Sequence, residues 1–319
     1  MTLQQIRYVT AVAATGSMNV AAQKLFISQP SLSSAIRELE AEMGITIFGR
    51  TTKGVVLTAE GEEFLGYARQ ILNQVDLLED KYIEGGSRKK KFGVSAQHYS
   101  FAVKAFVEMV KGFDMNEYEF AIRETRTADV IGDVSAGKSE IGILYINEFN
   151  GKVLHKLFRE KQLEFIPLVK CRGYVYLWKG HPLAGQTSIS LEELSPYPCL
   201  SFEQGDNNSF YFAEEILSTY DYKKTIKACD RATNLNLMVG LNAYCLCSGI
   251  ISEELNGGEY LAVPLKEDVE MEIGYLKRSY AALSQIGRIY IEEIQRAINE
   301  EQERQGSADD KTRTKTKKA

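Results

Sequence analysis

Apolar residues recur through the first 43 positions at the three-to-four spacing of helices that bury one face. Thr2-Leu3-Gln4-Gln5 is a capping-box pattern. Leu3, Ile6, Val9, Val12 and Ala13 follow its period until Gly16 supplies a stop. Ser17 heads a short helix carrying Val20, Ala21 and Leu25. Phe26-Ile27 turns the chain, and Ser28 caps a third helix with Pro30 in its first turn. Two short helices joined by a tight turn make a helix-turn-helix. On the third helix Leu32, Ile36 and Leu39 fall on one side, to pack on the first two helices. Pro30, Ser34, Arg37 and Ala41 fall opposite, flanked by Ser31 and Ser33, with Gln29 at the helix start. This outer face is small and hydroxylic, so it suits entry into a major groove; taken alone, it equally suits a helix that only faces solvent. The following stretch, 45–58, tips the balance. Two apolar strand-like runs flank a turn rich in Gly, Thr, Arg and Lys, as in a β-wing that grips backbone phosphate.

Beyond Thr58, the residues Phe64, Ala68, Ile71, Val75, Leu78 and Tyr82 step along one narrow seam, with Glu62, Glu63, Arg69, Asp76 and Glu79 off it. Such a heptad seam on a polar helix predicts dimerisation, the alternative being a helix packed on its own domain. Gly85-Gly86-Ser87 and Arg88-Lys89-Lys90-Lys91 then mark a domain boundary. After it, strands at 92–96, 118–124 and 141–146 alternate with helices at 101–111 and 127–136. Strands at 197–202, 225–229 and 244–247 alternate again with helices at 210–219 and 232–241. This alternation implies parallel sheets covered by helices in two lobes with a cleft between them. Strands at 163–169 and 174–178 cross between the lobes. A strand at 270–277 and a helix at 281–301 return to the first.

The 319 residues carry a net charge of −5, which by itself speaks against nucleic acid. Charge is unevenly spread: residues 1–84 hold −3, the 88–91 run +4 and the tail from Gly306 +3, leaving −9 between. A local basic face decides DNA binding, not a sum. No run approaches a membrane span and no secretory leader opens the chain, so a cytoplasmic protein is expected. The five cysteines lie in the second half without a CxxC pair, and three histidines are too scattered for a metal site. Cys245-x-Cys247 is placed on a strand, its thiols expected on opposite faces. Gly132-Asp133-Val134-Ser135-Ala136-Gly137-Lys138-Ser139 satisfies the P-loop formula, but a helix precedes it and a strand follows, the reverse of what phosphate binding needs. No catalytic set, cofactor or metal site is expected.

Several motifs taken together carry a resemblance. Ala21-Ala22-x-x-Leu25, Ser28-Gln29-Pro30-Ser31-Leu32-Ser33, Ile36-x-x-Leu39-Glu40, Gly44, Phe48-x-Arg50, Leu57-Thr58 and Gly61 resemble the winged helix-turn-helix of LysR-type transcriptional regulators. The resemblance implies that Gln29, Ser33 and the third-helix face (Pro30, Ser31, Ser34, Arg37) read DNA. It also implies that the wing residues Arg50, Thr51 and Lys53 hold phosphates. Ser34-Ala35 stands where many members carry a basic residue followed by Gln, so base readout is not carried over to those two positions. His181-Pro182-Leu183-Ala184 matches a further family hallmark, extending the resemblance to about residue 300.

The expected protein is multidomain: an α-rich winged helix-turn-helix with a long linker helix, then a two-lobed α/β effector-binding domain built like a periplasmic binding protein. Its parts are the head at 1–58, linker and hinge at 59–91, and the effector domain at 92–305. Lobe I takes 92–165 and 268–305, lobe II 166–267, and a disordered basic tail 306–319. Ligands of open α/β sheets bind at loops leaving strand ends. In lobe I these hold Ser95, Gln97, His98 and Ser100, where helix N–H groups favour a carboxylate or other anion, and then Thr125 and Thr127. In lobe II they hold Phe202, Glu203 and Gln204, with Arg231 and Thr233 at a helix start. Tyr145, Asn147, Asn207 and Ser209 are secondary candidates, and each residue equally suits a cap or turn. The family implies paired dimers, a homotetramer, on double-stranded promoter DNA, responding to a small-molecule effector without a membrane. A solute-binding protein would leave the first 85 residues without a use, and an NTPase would rest on 132–139 alone.

Overall fold

The computed structural model describes residues 1–51, 54–82, 90–113, 117–205 and 209–316. The chain divides into two compact units after the linker helix.

In the head, the capping box at Thr2 opens α1 (Leu3–Thr15), which Gly16 ends in the left-handed conformation at φ 63°. Ser17 caps α2 (Met18–Lys24) and Ser28 caps α3 (Gln29–Met43). Ile6, Val9, Val12, Ala21, Leu32, Ile36 and Leu39 share one core, and Pro30, Ser31, Ser34 and Arg37 are exposed, as the periodicity predicts. The wing is β1 (Phe48–Thr51) paired antiparallel with β2 (Gly54–Leu57), Arg50 opposite Val55. The Glu40 carboxylate accepts the main-chain N–H groups of Ile47 (2.7 Å) and Phe48 (3.1 Å), which ties the start of the wing to α3. Thr58 opens α4 (Ala59–Tyr82) by accepting the Gly61 N–H at 2.9 Å.

The head does not end at residue 58. Phe64, Leu65 and Ala68 of α4 are buried in its core, with Ile71 and Leu72 packed against them. The seam therefore divides. Phe64 and Ala68 serve their own domain, where they share the core formed by α1, α2 and α3, whereas Leu78 is 62% exposed. Tyr82 ends α4. The Gly85-Gly86-Ser87 hinge and Lys53 lie outside the described residues.

The second unit begins with β3 (Lys90–Ala96), α5 (Ser100–Lys111), β4 (Tyr118–Glu124), α6 (Thr127–Ser135), β5 (Ile141–Ile146), α7 (Gly151–Glu160) and β6 (Leu163–Arg172). It continues through β7 (Tyr174–Trp178), α8 (Leu191–Leu194), β8 (Cys199–Phe202), β9 (Thr225–Ala228), α9 (Arg231–Leu241) and β10 (Cys245–Cys247). It closes with α10 (Glu253–Asn256), β11 (Tyr260–Pro264), β12 (Glu270–Arg278) and α11 (Gln285–Thr316). Lobe I is a sheet in the order β4-β3-β5-β12-β6, its first three strands parallel and β12 antiparallel to both neighbours. Lobe II pairs β10-β7-β11 antiparallel and β8-β9 parallel, joined by a bridge between Cys199 and Tyr244. Lobe I is thus a mixed sheet, and lobe II combines an antiparallel sheet with a parallel one, where purely parallel sheets were expected.

Several boundaries differ from the sequence expectation. β6 pairs with β12 along its whole length, so lobe I runs to Arg172 and the crossing falls at Gly173. The helix α7 is unanticipated, although Leu154 and Phe158 at helical spacing bury its inner face. The helix expected at 210–219 is instead one 3-10 turn, Phe210–Phe212, followed by an irregular strap with Leu217 at φ 56°. Glu214 and Glu215 are both drawn under the surface there, and a continuous helix would turn adjacent side chains about 100° apart. The irregular tail expected from 306 is helical through Thr316. No proline interrupts this stretch, and the single Gly306 costs a helix only about 1 kcal/mol. Cys245 and Cys247 lie on one face of β10, because residues two apart in a strand point the same way; both pack against the lobe II cluster, and Leu246 faces the larger core.

Candidate functional site

Two sites emerge, one on each unit. On the head, a concavity of about 320 Å³ is bounded by Ser17 and Asn19 at the start of α2, Gln29, Ser33 and Arg37 along α3, and the wing at Gly54 and Val55. Gln29, Ser33 and Arg37 are spaced by four, so they form a stripe on one face of α3. Gln29 Nε2 donates to Ser33 Oγ at 2.7 Å and Arg37 Nε to the Ser33 carbonyl at 3.3 Å, so the stripe is held in order. Ser31 Oγ lies 2.7 Å from the cap hydroxyl of Ser28, and Ser34 Oγ donates to Glu38. Arg50 and Thr51 lie on the β1 strand of the wing. From sequence, Ser17 has only a capping role, Phe26 only a place in the turn, and Asn19 no signal. Phe26 sits at the α2–α3 turn with φ 55° and is 95% exposed, an unusual conformation for a bulky residue.

In the two-lobed unit, the strap of lobe II reaches across to lobe I. Glu214 Oε2 accepts both the main-chain N–H of His98 (3.0 Å) and its ring Nδ1–H (2.8 Å), which sets the imidazole tautomer. Phe202, at the end of β8, stacks face to face on the same ring at 3.8 Å with planes 3° apart. Glu214 Oε1 accepts from Gln204 Nε2 (2.9 Å), and Gln204 Oε1 accepts the Thr127 N–H (3.1 Å). Gln97 Nε2 donates to Thr127 Oγ1 (2.6 Å), while its carbonyl oxygen accepts the Tyr145 N–H (3.1 Å). The Tyr145 hydroxyl donates to the Glu215 carbonyl and Phe149 stacks on Tyr211 at 4.8 Å, so polar and aromatic contacts fasten the strap along its length. Glu215 is buried beside Glu214. Burial, and then the neighbouring carboxylate, push its carboxyl up to about 8, and the Phe202 N–H it accepts offsets only part of this.

Behind this latch lies a cavity of about 80 Å³. His98, Ser100 and Phe202 line it, with Arg231, Asn234, Leu235 and Met238 of α9 and Cys245, Leu246 and Cys247 of β10. Burial holds the Cys247 thiol at about 12 and the Cys245 thiol well above its ordinary value, so neither is a nucleophile near neutral pH. Arg231 pairs with Glu124 of lobe I and donates to Asn256 Oδ1 at 3.2 Å. Ser100 Oγ accepts the Ser252 N–H across the lobes (3.0 Å).

Of the residues proposed from sequence, His98, Ser100, Phe202 and Arg231 therefore meet at the cavity, and Gln97, Thr127 and Gln204 form the interlobe chain beside it. The remaining four are elsewhere. Ser95 points into lobe I, donating to Asp133 at 2.6 Å and touching Ser139, because its strand alternates away from the cleft. Thr125 reaches only Asp129, exposed Glu203 lies against Cys229, and Thr233 belongs to the Asp230 cap of α9. Asn147 and Asn150 close a reciprocal turn, Ser209 is exposed and Asn207 lies outside the described residues. Glu214, Glu215 and Asn234 had no sequence signal. In the P-loop-like stretch α6 precedes and β5 follows, with Ser139 buried against Ser95 and Arg123, so its amides form no phosphate cradle.

A model of the bacterial regulatory helix-turn-helix proteins of the lysR family matches residues 3–62, and the LysR substrate binding domain matches residues 114–298. The chain belongs to the LysR family. It is 27% identical over 289 residues to the HTH-type transcriptional regulator AlsR of Bacillus subtilis (strain 168), across 89% of this chain and 88% of that protein. It is 47% identical over 72 residues to the HTH-type transcriptional regulator TfdT of Cupriavidus pinatubonensis, covering 23% of this chain and 32% of that one. Full-length OxyR C199D from Pseudomonas aeruginosa has the same fold, with a TM-score of 0.66 at 20% identity, over 93% of this chain and 94% of that one. Full-length CbnR in complex with its target DNA gives 0.54 at 17% identity, over 93% and 100%. As a LysR-family regulator the chain couples a DNA-binding head to a domain for small molecules. No helix among the described residues is long and apolar enough to cross a membrane.

Proposed function

We propose that this LysR-family regulator is cytoplasmic and non-enzymatic, and that its DNA affinity is set by an effector held between the lobes. The observation that carries this reading is the latch. Glu214 of lobe II is bound by the main chain and ring of His98 in lobe I, beside a cavity lined by both lobes. A ligand entering that cavity changes the relative stability of latched and open lobes, and it thereby biases a two-state equilibrium that DNA binding shares reciprocally. The heads pair along the outer half of α4, where Leu78 is exposed, and pairs of dimers assemble on promoter DNA. Two tethered heads give a domain of net negative charge useful affinity, since the second half-site is bound intramolecularly.

On the head, Gln29, Pro30, Ser31, Ser33, Ser34 and Arg37 face the major groove, and Arg50, Thr51 and Lys53 hold phosphates. Fluorescence anisotropy on duplex from upstream of the coding region, against scrambled duplex across a salt series, tests this. Arg50→Ala should weaken both duplexes alike and lower the salt slope by about 1. Gln29→Ala should cost the specific duplex about 1–3 kcal/mol and leave the scrambled one unchanged. Equal losses on both duplexes for both variants would reject the division into reading and clamping residues, and no binding at low salt would reject the DNA-binding reading itself.

A further inference from the structure

Arg231 and Asn234 line the cavity behind the latch, and they carry three polar atoms buried without a partner in the protein: Nε of Arg231 and both Nδ2 and Oδ1 of Asn234. Asn234 is 2% exposed. A side-chain amide unpaired at both ends is costly to bury, and native folds keep such groups chiefly where something else satisfies them. Arg231 and Asn234 are one turn apart on the same face of α9, so they offer two donors and one acceptor to the same space. Leu235, Met238, Leu246, Ile250 and Met271 supply the apolar part of the wall, whose polar part includes His98, Ser100, Glu214, Glu215 and Asn256.

Charge narrows the ligand further. Arg231 is the only lysine or arginine among the described lining residues, and Glu124 already answers its charge. The place where a helix start and an imidazole would receive an anion is taken by the chain's own Glu214 carboxylate. A second carboxylate would be buried beside Glu214 with no counter-cation left for it, which is strongly disfavoured.

Building on the reading of this cleft as the effector site, we propose that the effector presents an uncharged primary carboxamide to Arg231 and Asn234, not an anion. The carbonyl oxygen accepts from Arg231 Nε and Asn234 Nδ2, and the amide N–H donates to Asn234 Oδ1, so all three atoms are satisfied at once. The cavity has about half the roughly 150 Å³ that holds a benzene, which limits the buried part to about three non-hydrogen atoms, the carboxamide group itself.

The probes are propanamide and the isosteric propionate, each titrated at millimolar concentration and pH 7 into the full-length protein. Thermal unfolding is followed by the fluorescence of Trp178, the chain's single tryptophan, which sits in β7 of lobe II. Propanamide is expected to raise Tm and propionate to leave it unchanged. Asn234→Leu, which puts an apolar group of similar size in place of the amide, should abolish the propanamide shift and raise the ligand-free Tm by about 2–4 °C. A propionate shift equal to or larger than that of propanamide overturns the inference on the unmodified protein. If Asn234→Leu removes that propionate shift, the cleft still stands as the effector site. A propanamide shift that survives Asn234→Leu overturns the inference as well, as does the absence of any shift from either probe. The duplex titration above then decides the functional reading separately.

Discussion

Glu215→Gln is expected to stabilise the two-lobed domain at pH 8 and to remove most of its loss of stability between about pH 5 and pH 8. In the unfolded chain this carboxyl titrates in the ordinary glutamate range. In the fold, burial and the adjacent Glu214 hold the proton on until about pH 8. Below the ordinary range both states are protonated and the group has no effect on the pH dependence. As pH rises, the unfolded chain releases its proton first, so stability falls steadily until the folded group ionises too. At about 1.4 kcal/mol per pH unit, the loss over the window is on the order of 4–5 kcal/mol. Glutamine keeps an oxygen for the Phe202 N–H, which Glu215 now accepts at 2.8 Å, but it has no charge to desolvate. Urea unfolding of both proteins at pH 5.5 and pH 8, followed by Trp178 fluorescence, reads the difference directly. Parallel losses in the two proteins would mean that another group carries the pH dependence.

Gly61→Ala should destabilise the head by about 3 kcal/mol, lowering its Tm by on the order of 10 °C. A Cβ at this position would lie 2.1 Å from the carbonyl oxygen of Ile47, 2.9 Å from its carbon and 3.1 Å from its Cα. These are backbone atoms. The same carbonyl accepts the Thr58 N–H at 3.1 Å, so it cannot swing aside. The first turn of α4 must therefore lift, and it takes with it Phe64, Leu65 and Ala68, which complete the head core. Circular dichroism should show the head transition moving while the Trp178 transition stays in place. Gly132→Ala provides the contrast: it lies inside α6 with nothing within 4 Å of the added carbon, and it should gain about 0.5–1 kcal/mol. A Gly61→Ala protein that melts like its parent would show that α4 does not dock against Ile47 as described.

The head was largely legible because its signals are local. A cap, a period and a stop within fifteen residues decide each helix, and α3 accordingly buries Leu32, Ile36 and Leu39 and exposes Ser34 and Arg37. The seam on α4 was harder to read, since the same spacing serves a partner helix or the helix's own domain. Phe64 and Ala68 went to the second use because the head core was otherwise open on that side. In the two-lobed unit the alternation of strands and helices was visible, whereas the extent of β6 and the presence of α7 depend on long-range pairing with β12 and on the packing of Leu154 and Phe158.

The cleft marks the division between the two kinds of information. Strand-end loops located His98, Phe202 and Arg231, because an open α/β sheet leaves its loops at one end whatever the details of the side chains. The sequence also pointed to an anion at the start of α5. Only the tertiary structure shows the chain's own Glu214 bonding His98 at that place. Glu214 lies 116 positions from His98, on a strap with no regular structure, and it bonds His98 only because folding brings the lobes together. The unpaired amide of Asn234 is likewise a property of what surrounds it. Capping and periodicity act between neighbours along the chain, whereas burial, charge pairing and polar satisfaction depend on atoms that become neighbours only in the fold.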